Sequence, residues 1–237
     1  MKNRKVLALV LALLVAFAMM PAMAFADETP TEVISPNPTT EPTTPVKSND
    51  IVILGTSDVH CGIDQNIGYA GLAAYKKALA ETHNYVALVD AGDAIQGDTI
   101  GTLSKGEYIV DIMNEVGYDV VTPGNHEFDY GMDQFLNVIV PKMKATYVSA
   151  NFMKDDKPVF DTYKLMTFGG KKVAFVGIST PETLVKSTPT YFQDKFGNYI
   201  YDFCNDSTGD KLYKAVQTAV DAAKKAGADY VVAVAHL

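Results

Sequence analysis

Arginine is almost absent from this sequence of 237 residues, since Arg4 is the only one. The formal net charge is −8, and it becomes −11 if residues 1–26 are removed, because they hold three positive charges and no negative ones. Proteins that bind nucleic-acid polymers or anionic membranes usually do so through basic patches. The composition therefore argues against both kinds of partner. It also means that a bound phosphate needs another source of positive charge, such as a bound metal.

Cysteine is scarce as well, with only Cys61 and Cys204 in the chain. Export from the cytoplasm would make a disulfide chemically possible. The two residues are 143 positions apart, and the sequence does not show whether they meet in space. We expect two free or buried thiols rather than a disulfide.

The first 26 residues have the pattern of a secretory signal peptide. A basic start at positions 2–5 precedes an apolar run at 6–20, and small residues follow at Ala24 and Ala26. The alternative is a membrane anchor, but the run is shorter than the roughly 20 residues of a spanning helix. No cysteine is present there to carry a lipid. We predict cleavage after Ala26, no membrane span in the mature protein, and a secreted or cell-envelope location.

A linker and one domain are expected after the signal peptide. Residues 27–49 are rich in threonine and proline and poor in large apolar side chains, so they cannot bury a core. The folded domain is expected to span residues 50–237. It stops two residues after a predicted core strand, without a closing helix. We therefore interpret the domain as incomplete at its C-terminus.

Predicted strands and helices alternate along this domain. Strands are predicted at 51–54, 85–89, 119–121, 145–149 and 230–235, a hairpin at 160–168 and 172–178, and helices at 69–82, 106–116, 132–140 and 210–226. Unbroken apolar strands between helices indicate a layered α/β fold. The hairpin adds a mixed sheet or a second sheet. The prediction is an α/β sandwich of mixed β-sheets flanked by helices.

Four groups of polar residues follow predicted strands, and ligands in α/β folds gather at the carboxyl ends of strands. The first group contains Asp58 and His60. Alternate side chains of an extended chain point the same way, so these two are expected to face together. A carboxylate with an imidazole suits Zn, Mn or Fe. The alternative is a turn aspartate beside an unrelated histidine.

The second and fourth groups are shorter. Asp93 follows the strand 85–89 and offers a carboxylate close to the backbone, while Asp90 caps or orients the same loop. Asp98 is a rival for the role of Asp93, although the spacing to the strand favours Asp93. His236 follows the last predicted strand. The remaining histidine outside these groups, His83, is expected to be an exposed residue at a helix end.

The third group, GNHEFD at 124–129, is the most informative. Asn125 can give a neutral oxygen to a metal. If a helical turn begins here, Asp129 lies on the same face as His126. A carboxylate in that position fixes the tautomer of the imidazole. This arrangement predicts a general acid or a charged stabiliser of the transition state. The alternative is a polar turn that caps the helix at 132–140.

In this order, the four groups resemble the calcineurin-like metallophosphoesterases over roughly residues 50–237. GNHEFD is similar to their 5'-nucleotidase branch, which includes bacterial UDP-sugar hydrolases and cyclic-nucleotide phosphodiesterases. The resemblance implies a metallophosphatase-like fold and two divalent metal ions, Zn, Mn or similar. It assigns Asp58 and His60 to the first metal, Asp93 to both, Asn125 and His236 to the second, and His126 with Asp129 to a catalytic dyad.

The resemblance also implies what this chain does not contain. Members of the family have a further Gly-His-x-His motif, and members of this branch have a C-terminal substrate-binding domain with phosphate-binding arginines. Without the motif, each metal lacks one ligand. The implied function is 5'-nucleotidase-type hydrolysis of small nucleotides. The alternatives on the same site are a 2',3'-cyclic nucleotide phosphodiesterase and a UDP-sugar hydrolase. An inactive secreted binding module is the alternative of another class, against which the predicted dyad argues.

Overall fold

The computed structural model describes residues 46–237. The predicted signal peptide at 1–26 and the predicted linker up to residue 45 lie outside the described residues. Strand β1 (Ser48–Thr56) begins one residue before the predicted end of the linker. Ser48 already pairs with His83 of the neighbouring strand, so residues 48 and 49 of the predicted linker belong to the first strand.

The elements alternate as predicted. The strands after β1 are β2 (His83–Asp90), β3 (Val120–Val121), β4 (Thr146–Tyr147), β5 (Met153–Lys154), β6 (Lys157–Pro158), β7 (Tyr163–Phe168), β8 (Lys171–Ile178), β9 (Tyr201–Asp202) and β10 (Tyr230–Ala235). The helices are α1 (Gly68–Thr82), α2 (Thr99–Ser104), α3 (Glu107–Val116), α4 (Met132–Gln134, Phe135–Ile139 and Val140–Lys142 in succession), α5 (Thr183–Lys186) and α6 (Asp210–Lys225). Two 3₁₀ turns lie at His126–Phe128 and Pro189–Phe192.

The strands form three sheets. The first is wholly parallel, in the order β1-β2-β3-β4. The second is mixed, in the order β10-β8-β7, with β10 parallel and β7 antiparallel to β8. The third is a small antiparallel sheet in the order β6-β5-β9. The hairpin therefore builds a second, mixed sheet, as the sequence predicts.

The two larger sheets pack face to face. Val89 of the first sheet and Phe175 of the second share one buried cluster. Side chains alternate along a strand, so the neighbouring Leu88 and Val176 point to the opposite faces. Leu88 joins the core beneath helices α1 and α3, and Val176 packs against Ala219 of helix α6. The result is a sandwich of two sheets with helices on both outer sides, which confirms the predicted fold class.

The hairpin between β7 and β8 turns at Gly169 and Gly170, which have φ angles of 57° and 84°. Two-residue hairpin turns with positive φ at both central positions match the twist of the flanking strands, and glycine adopts them without strain. The predicted position of the hairpin is therefore confirmed.

Helix α4 continues past Pro141, where the sequence predicts its end. Its middle piece, Phe135–Ile139, is a π-helical turn, and the amide of Met143 still donates to the carbonyl of Ile139 at 3.0 Å. Proline has no amide hydrogen to donate. The widened turn before it changes the hydrogen-bond pattern, so the helix runs on to Lys142.

Short elements were missed by the sequence analysis. The small third sheet is built from strands of two residues, which are too short to show a hydrophobic period.

Cys61 and Cys204 are both free thiols, as expected. Among the helices within residues 46–237, none has the length and apolar character needed to cross a membrane.

Candidate metal centre

Asp93 lies at the centre of the polar residues that follow the strand ends. Its side chain is only 3% exposed. The Nε2 atom of His236 lies 3.2 Å from its Oδ2 atom, and the Nε2 atom of His60 lies 3.8 Å from the same oxygen. These residues follow β1, β2 and β10. The carboxyl ends of two packed sheets therefore converge on one carboxylate.

Two groups of candidate metal ligands share Asp93. One consists of His60, Asp93 and His126, and the other of Asp58, Asp93 and His236. Within each group the candidate ligand atoms lie within 4.8 Å of one another. Asn125 belongs beside the second group, because its Oδ1 atom lies 3.3 Å from Nε2 of His236. All five predicted metal ligands are therefore close together, although Asp58 is grouped with His236 and His60 with His126.

Asp58 and His60 reach the site through the shape of the loop after β1, and not through the alternation of side chains along an extended strand. Strand β1 ends at Thr56, and Asp58 and His60 have φ angles of 55° and 46°. The expectation that they face together because the chain is extended was therefore wrong. Their amides instead donate to the carbonyls of Gly92 and Asp93, at 3.0 and 2.9 Å. The loop after β1 is thereby bound to the loop after β2.

Both histidines beside Asp93 are oriented by backbone carbonyls. Nδ1 of His60 lies 3.2 Å from the carbonyl oxygen of Gln96, and Nδ1 of His236 lies 3.0 Å from that of Ala91. A neutral imidazole that donates through Nδ1 has only a lone pair at Nε2. In both rings this lone pair faces the carboxylate of Asp93. A cation between them, either a proton or a metal ion, satisfies this arrangement, so the donor set fits a metal.

The contact between His236 and Asp93 shifts the pKa of both side chains. The hydrogen bond with Asp93 raises the pKa of His236 above its ordinary value, although burial opposes this. Burial disfavours the ionised form of Asp93, but the hydrogen bonds from His236 and from the amide of His126 outweigh it and lower the pKa of Asp93. An ionised carboxylate is the form that binds a metal.

His126 and Asp129 form the predicted dyad. They lie on the 3₁₀ turn His126–Phe128 and the residue that follows it, and Nδ1 of His126 is 2.6 Å from Oδ2 of Asp129. Because Nδ1 is held by the carboxylate, Nε2 is the nitrogen left free. The ring of His126 also meets the ring of His60 edge-on, with centroids 5.2 Å apart. The dyad therefore borders the cluster around Asp93.

Two glycines allow the loops to meet. A Cβ atom on Gly92, whose φ is 99°, would lie 2.3 Å from the amide nitrogen of Gly124. A Cβ atom on Gly124 would lie 2.3 Å from Oδ1 of Asp93. Neither distance is tolerated by a real side chain. The Gly-Asp and Gly-Asn pairs are thus explained by contact between the two loops.

Glu127 is a further residue of the site, for which no role was predicted from the sequence. It is 3% exposed, and its carboxylate accepts hydrogen bonds from the amides of Asp93, Ala94 and Gly124 at 2.7–2.9 Å. Burial raises its pKa, and the neighbouring charge of Asp93 adds to this while the three amides oppose it. Its position beside His126 in the sequence was the available signal. The long-range amides that it binds could not be inferred.

The remaining acidic candidates lie around the centre. Asp90 accepts hydrogen bonds from the hydroxyl of Thr56 at 2.5 Å and from the amide of Gly92 at 2.9 Å, so it orients the loop. Asp98 is exposed and caps helix α2 through the amide of Thr99. It belongs to neither ligand group. His83 was expected to be exposed, but it is half-buried at the end of helix α1, where its Nδ1 lies 3.2 Å from the carbonyl oxygen of Leu79.

The sequence of the chain matches one known protein family over most of its length. The family model of the calcineurin-like phosphoesterases matches residues 51–237. The chain belongs to this family. Its members are metal-dependent phosphoester hydrolases. The match includes every residue of the centre described above.

Individual proteins are also similar in sequence to this chain. A snake venom 5'-nucleotidase from Gloydius brevicauda is 32% identical over 161 residues, which is 60% of this chain and 27% of the relative. The Endonuclease YhcR of Bacillus subtilis (strain 168) is 30% identical over 227 residues, 82% of this chain and 17% of that protein. The chain therefore spans less than a third of the length of either relative.

A solved structure shows the same fold. The crystal structure of a 5'-nucleotidase precursor from Thermus thermophilus superposes with a TM-score of 0.65. It is 23% identical in sequence, and the superposition covers 79% of this chain and 37% of that one. The metallophosphatase-like sandwich is thereby confirmed.

Proposed function

We propose that this chain carries the metal site of a 5'-nucleotidase-type phosphoesterase that hydrolyses phosphate monoesters of small nucleotides. The observation that carries the proposal is the place of Asp93 in both candidate ligand groups, with the His126–Asp129 dyad beside them. A carboxylate shared by two cations is the arrangement that a two-metal phosphoesterase needs. The curated relatives named 5'-nucleotidase favour the nucleotide substrate.

The residues present would hold the metals in two sets around Asp93. His60 would form one set with Asp93. Asp58, Asn125 and His236 would form the other set with the same carboxylate. When bound, two divalent cations supply the charge that attracts the phosphate and activates the attacking water. The chain itself offers little such charge near an anion, because it has no arginine within residues 46–237.

The role of His126 follows from its contacts. Asp129 holds the Nδ1 atom, so a protonated ring presents its Nε2 hydrogen to the space beside the cluster. There it can stabilise the charge that develops on the phosphoryl group and give a proton to the departing alkoxide. The carboxylate of Asp129 keeps the ring in one tautomer and one orientation throughout.

A further part of the proposal concerns the location of the protein. The basic, apolar and Ala-Phe-Ala start of the chain supports export, so we propose that the protein acts outside the cytoplasm. Sequencing the N-terminus of the protein recovered from the culture medium or envelope tests this. A start at Asp27 is expected, and a retained Met1 in the cytoplasm would contradict it.

The experiment on function compares phosphate release from AMP with the cleavage of 2',3'-cyclic AMP, UDP-glucose and a single-stranded RNA, followed by chromatography of the products, with metals removed and then restored. We expect metal-dependent release from AMP above the other substrates. A preference for the cyclic nucleotide or for UDP-glucose would keep the site and change the substrate. Cleavage of the RNA instead would contradict the expectation from the low positive charge. No hydrolysis of any substrate with metals bound would favour the inactive binding module.

The dyad is tested by replacing His126 with alanine. We expect kcat to fall by roughly 10²–10⁴-fold while the metal content is unchanged, because the proton transfer is lost and the ligands remain. His83→Ala is the matched control, since that histidine lies outside both ligand groups. Loss of metal in the His126 variant would instead make this residue a ligand, in keeping with its distance from His60 and Asp93.

A further inference from the structure

Ser187 touches the dyad from a distant part of the chain. It follows helix α5, is 8% exposed, and its hydroxyl donates to Oδ1 of Asp129 at 2.8 Å. The other oxygen of Asp129 accepts from Nδ1 of His126 at 2.6 Å. The three side chains therefore form one hydrogen-bonded chain, although Ser187 lies 58 residues after Asp129.

The hydroxyl of Ser187 is itself held in place. The amide of Ser187 donates to the carbonyl of Thr183 at 3.1 Å, and the hydroxyl of Thr183 donates to the carbonyl of Thr180 at 2.7 Å. Thr183 is fully buried. The donor thus comes from a fixed turn of helix α5 and not from a freely rotating surface residue.

The contact from Ser187 fixes the second oxygen of the Asp129 carboxylate. A carboxylate that is bonded through only one oxygen can rotate about its last bond, and its partner ring then moves with it. With Oδ1 bonded to Ser187 and Oδ2 bonded to His126, the plane of the carboxylate is defined. The imidazole of His126 is 31% exposed and needs such support to keep its orientation.

We propose that Ser187 is a positioning residue, which fixes Asp129 and through it the direction of the Nε2 hydrogen of His126. The inference rests on the proposed function. In the step concerned, the oxygen of the attacking water bonds to phosphorus and releases one proton to solvent. The bond from phosphorus to the leaving oxygen breaks, and the proton on Nε2 bonds to that oxygen. The ring becomes neutral and keeps its Nδ1 hydrogen on Asp129. Ser187 does not touch the substrate.

The test uses the purified protein with metals bound and two substrates that differ in their leaving group. AMP leaves a basic alkoxide, which requires protonation, whereas p-nitrophenyl phosphate leaves a stable phenolate, which does not. Ser187→Ala is expected to lower kcat for AMP about 10-fold, because a hydrogen bond to a charged group is lost. For p-nitrophenyl phosphate the change is expected to stay within about 2-fold, with KM and metal content unaltered. Ser187→Thr, which keeps the hydroxyl, is expected to restore kcat.

The matched control is Thr188→Val, which removes a hydroxyl from the next, exposed residue. An activity-independent measurement accompanies the kinetics: the imidazole Nδ1–H signal of His126 in proton NMR, assigned with His126→Ala. It should be lost or broadened in Ser187→Ala and kept in Ser187→Thr.

Two outcomes would overturn the inference, and a third would overturn the proposed function. An equal loss of kcat on both substrates, or a loss of metal, would make Ser187 a structural residue only. An unchanged kcat and an unchanged NMR signal would deny it any role. A wild-type protein inactive on both esters would refute the proposed function, and the NMR arm would then decide the positioning of His126 on its own.

Discussion

At the scale of single residues, the carboxylate of Glu127 constrains the backbone of Asp93. Asp93 has a φ of 59°, a left-handed conformation that costs an L-residue about 1–2 kcal/mol. The amides of Asp93 and of its neighbour Ala94 both donate to the Glu127 carboxylate. A hydrogen bond to a charged group contributes roughly 1.5–3 kcal/mol, so these contacts offset the strain. Glu127 therefore holds the backbone of Asp93, and with it the Asp93 carboxylate, in position.

Replacing Glu127 with glutamine is expected to weaken the metal centre. The amide group of glutamine would bring hydrogens toward backbone amides that also donate, so at least one contact is lost. We expect metal affinity to fall about 10–100-fold and stability by about 1–3 kcal/mol. Metal titration and urea unfolding measure the two effects. The control is Glu115→Gln on the exposed face of helix α3. Equal metal affinity in both variants would show that Glu127 does not position Asp93.

Asp90 gives the protein a defined dependence on pH. Burial raises its pKa from 3.8 to about 7, although the hydrogen bond from Thr56 opposes this. Between pH ~4 and ~7 the unfolded chain has lost this proton and the folded chain still holds it, so stability falls as the pH rises. We predict that Asp90→Asn removes this contribution. In metal-free samples, the stability of the variant relative to wild type should rise from pH ~4 to ~7. Urea unfolding at several pH values measures it, and a constant difference would contradict the prediction.

The sequence predicts which residues meet at the site but not how they meet. Asp58, Asp93, Asn125 and His236 were recognised because each follows a strand, and strand ends converge in α/β folds. The left-handed backbone of the two loops could not be recognised, since it depends on hydrogen bonds between segments more than thirty residues apart. The contact from Ser187 depends in the same way on long-range packing.

At the scale of elements, the 3₁₀ turn His126–Phe128 carries the dyad on a buried aromatic anchor. Phe128 is fully buried, and its ring meets four others edge-on with centroids 5.0–5.5 Å apart. These neighbours are Phe135, Phe152, Phe192 and Phe203. Edge-on pairs of aromatic rings add to the energy of burial. The turn is short, so the packing of Phe128 sets the position of the residues on either side.

Replacing Phe128 with alanine is expected to destabilise the protein by about 3–5 kcal/mol, because a large cavity is left between the rings. The dyad should lose its fixed position as well, so kcat should fall even at temperatures where the variant is folded. Thermal unfolding and kinetics measure the two effects. Phe196→Ala is the control, since that ring is 78% exposed and its loss should change stability by no more than about 0.5 kcal/mol. Similar stability of both variants would refute the anchoring role.

The predicted elements were most accurate where the pattern was long. Helix α6 and strand β10 lie within one residue of their predicted bounds, because the amphipathic period of the helix and the apolar run of the strand are unbroken. Helix α4 was predicted to end at Pro141, since no sequence signal announces the π-helical turn before it. Strands of two residues, such as β5 and β6, are defined by their partners and not by their own side chains.

At the scale of the whole molecule, the packing of the two larger sheets creates the site. Asp93 and Asn125 follow strands of the first sheet, whereas His236 follows β10 of the second. Nδ1 of His236 lies 3.0 Å from the carbonyl oxygen of Ala91, so the sheets are joined by a contact at the candidate metal centre itself. A change in the packing of the sheets would therefore move the candidate metal ligands directly.

The measurement that tests the central claim most directly is an anomalous diffraction map of the protein crystallised with Mn²⁺. The account predicts two peaks, one on each side of the Asp93 carboxylate, and their loss in Asp93→Asn but not in Asp98→Asn. A single peak, or peaks that persist in the Asp93 variant, would contradict the claim that this carboxylate is shared by two cations.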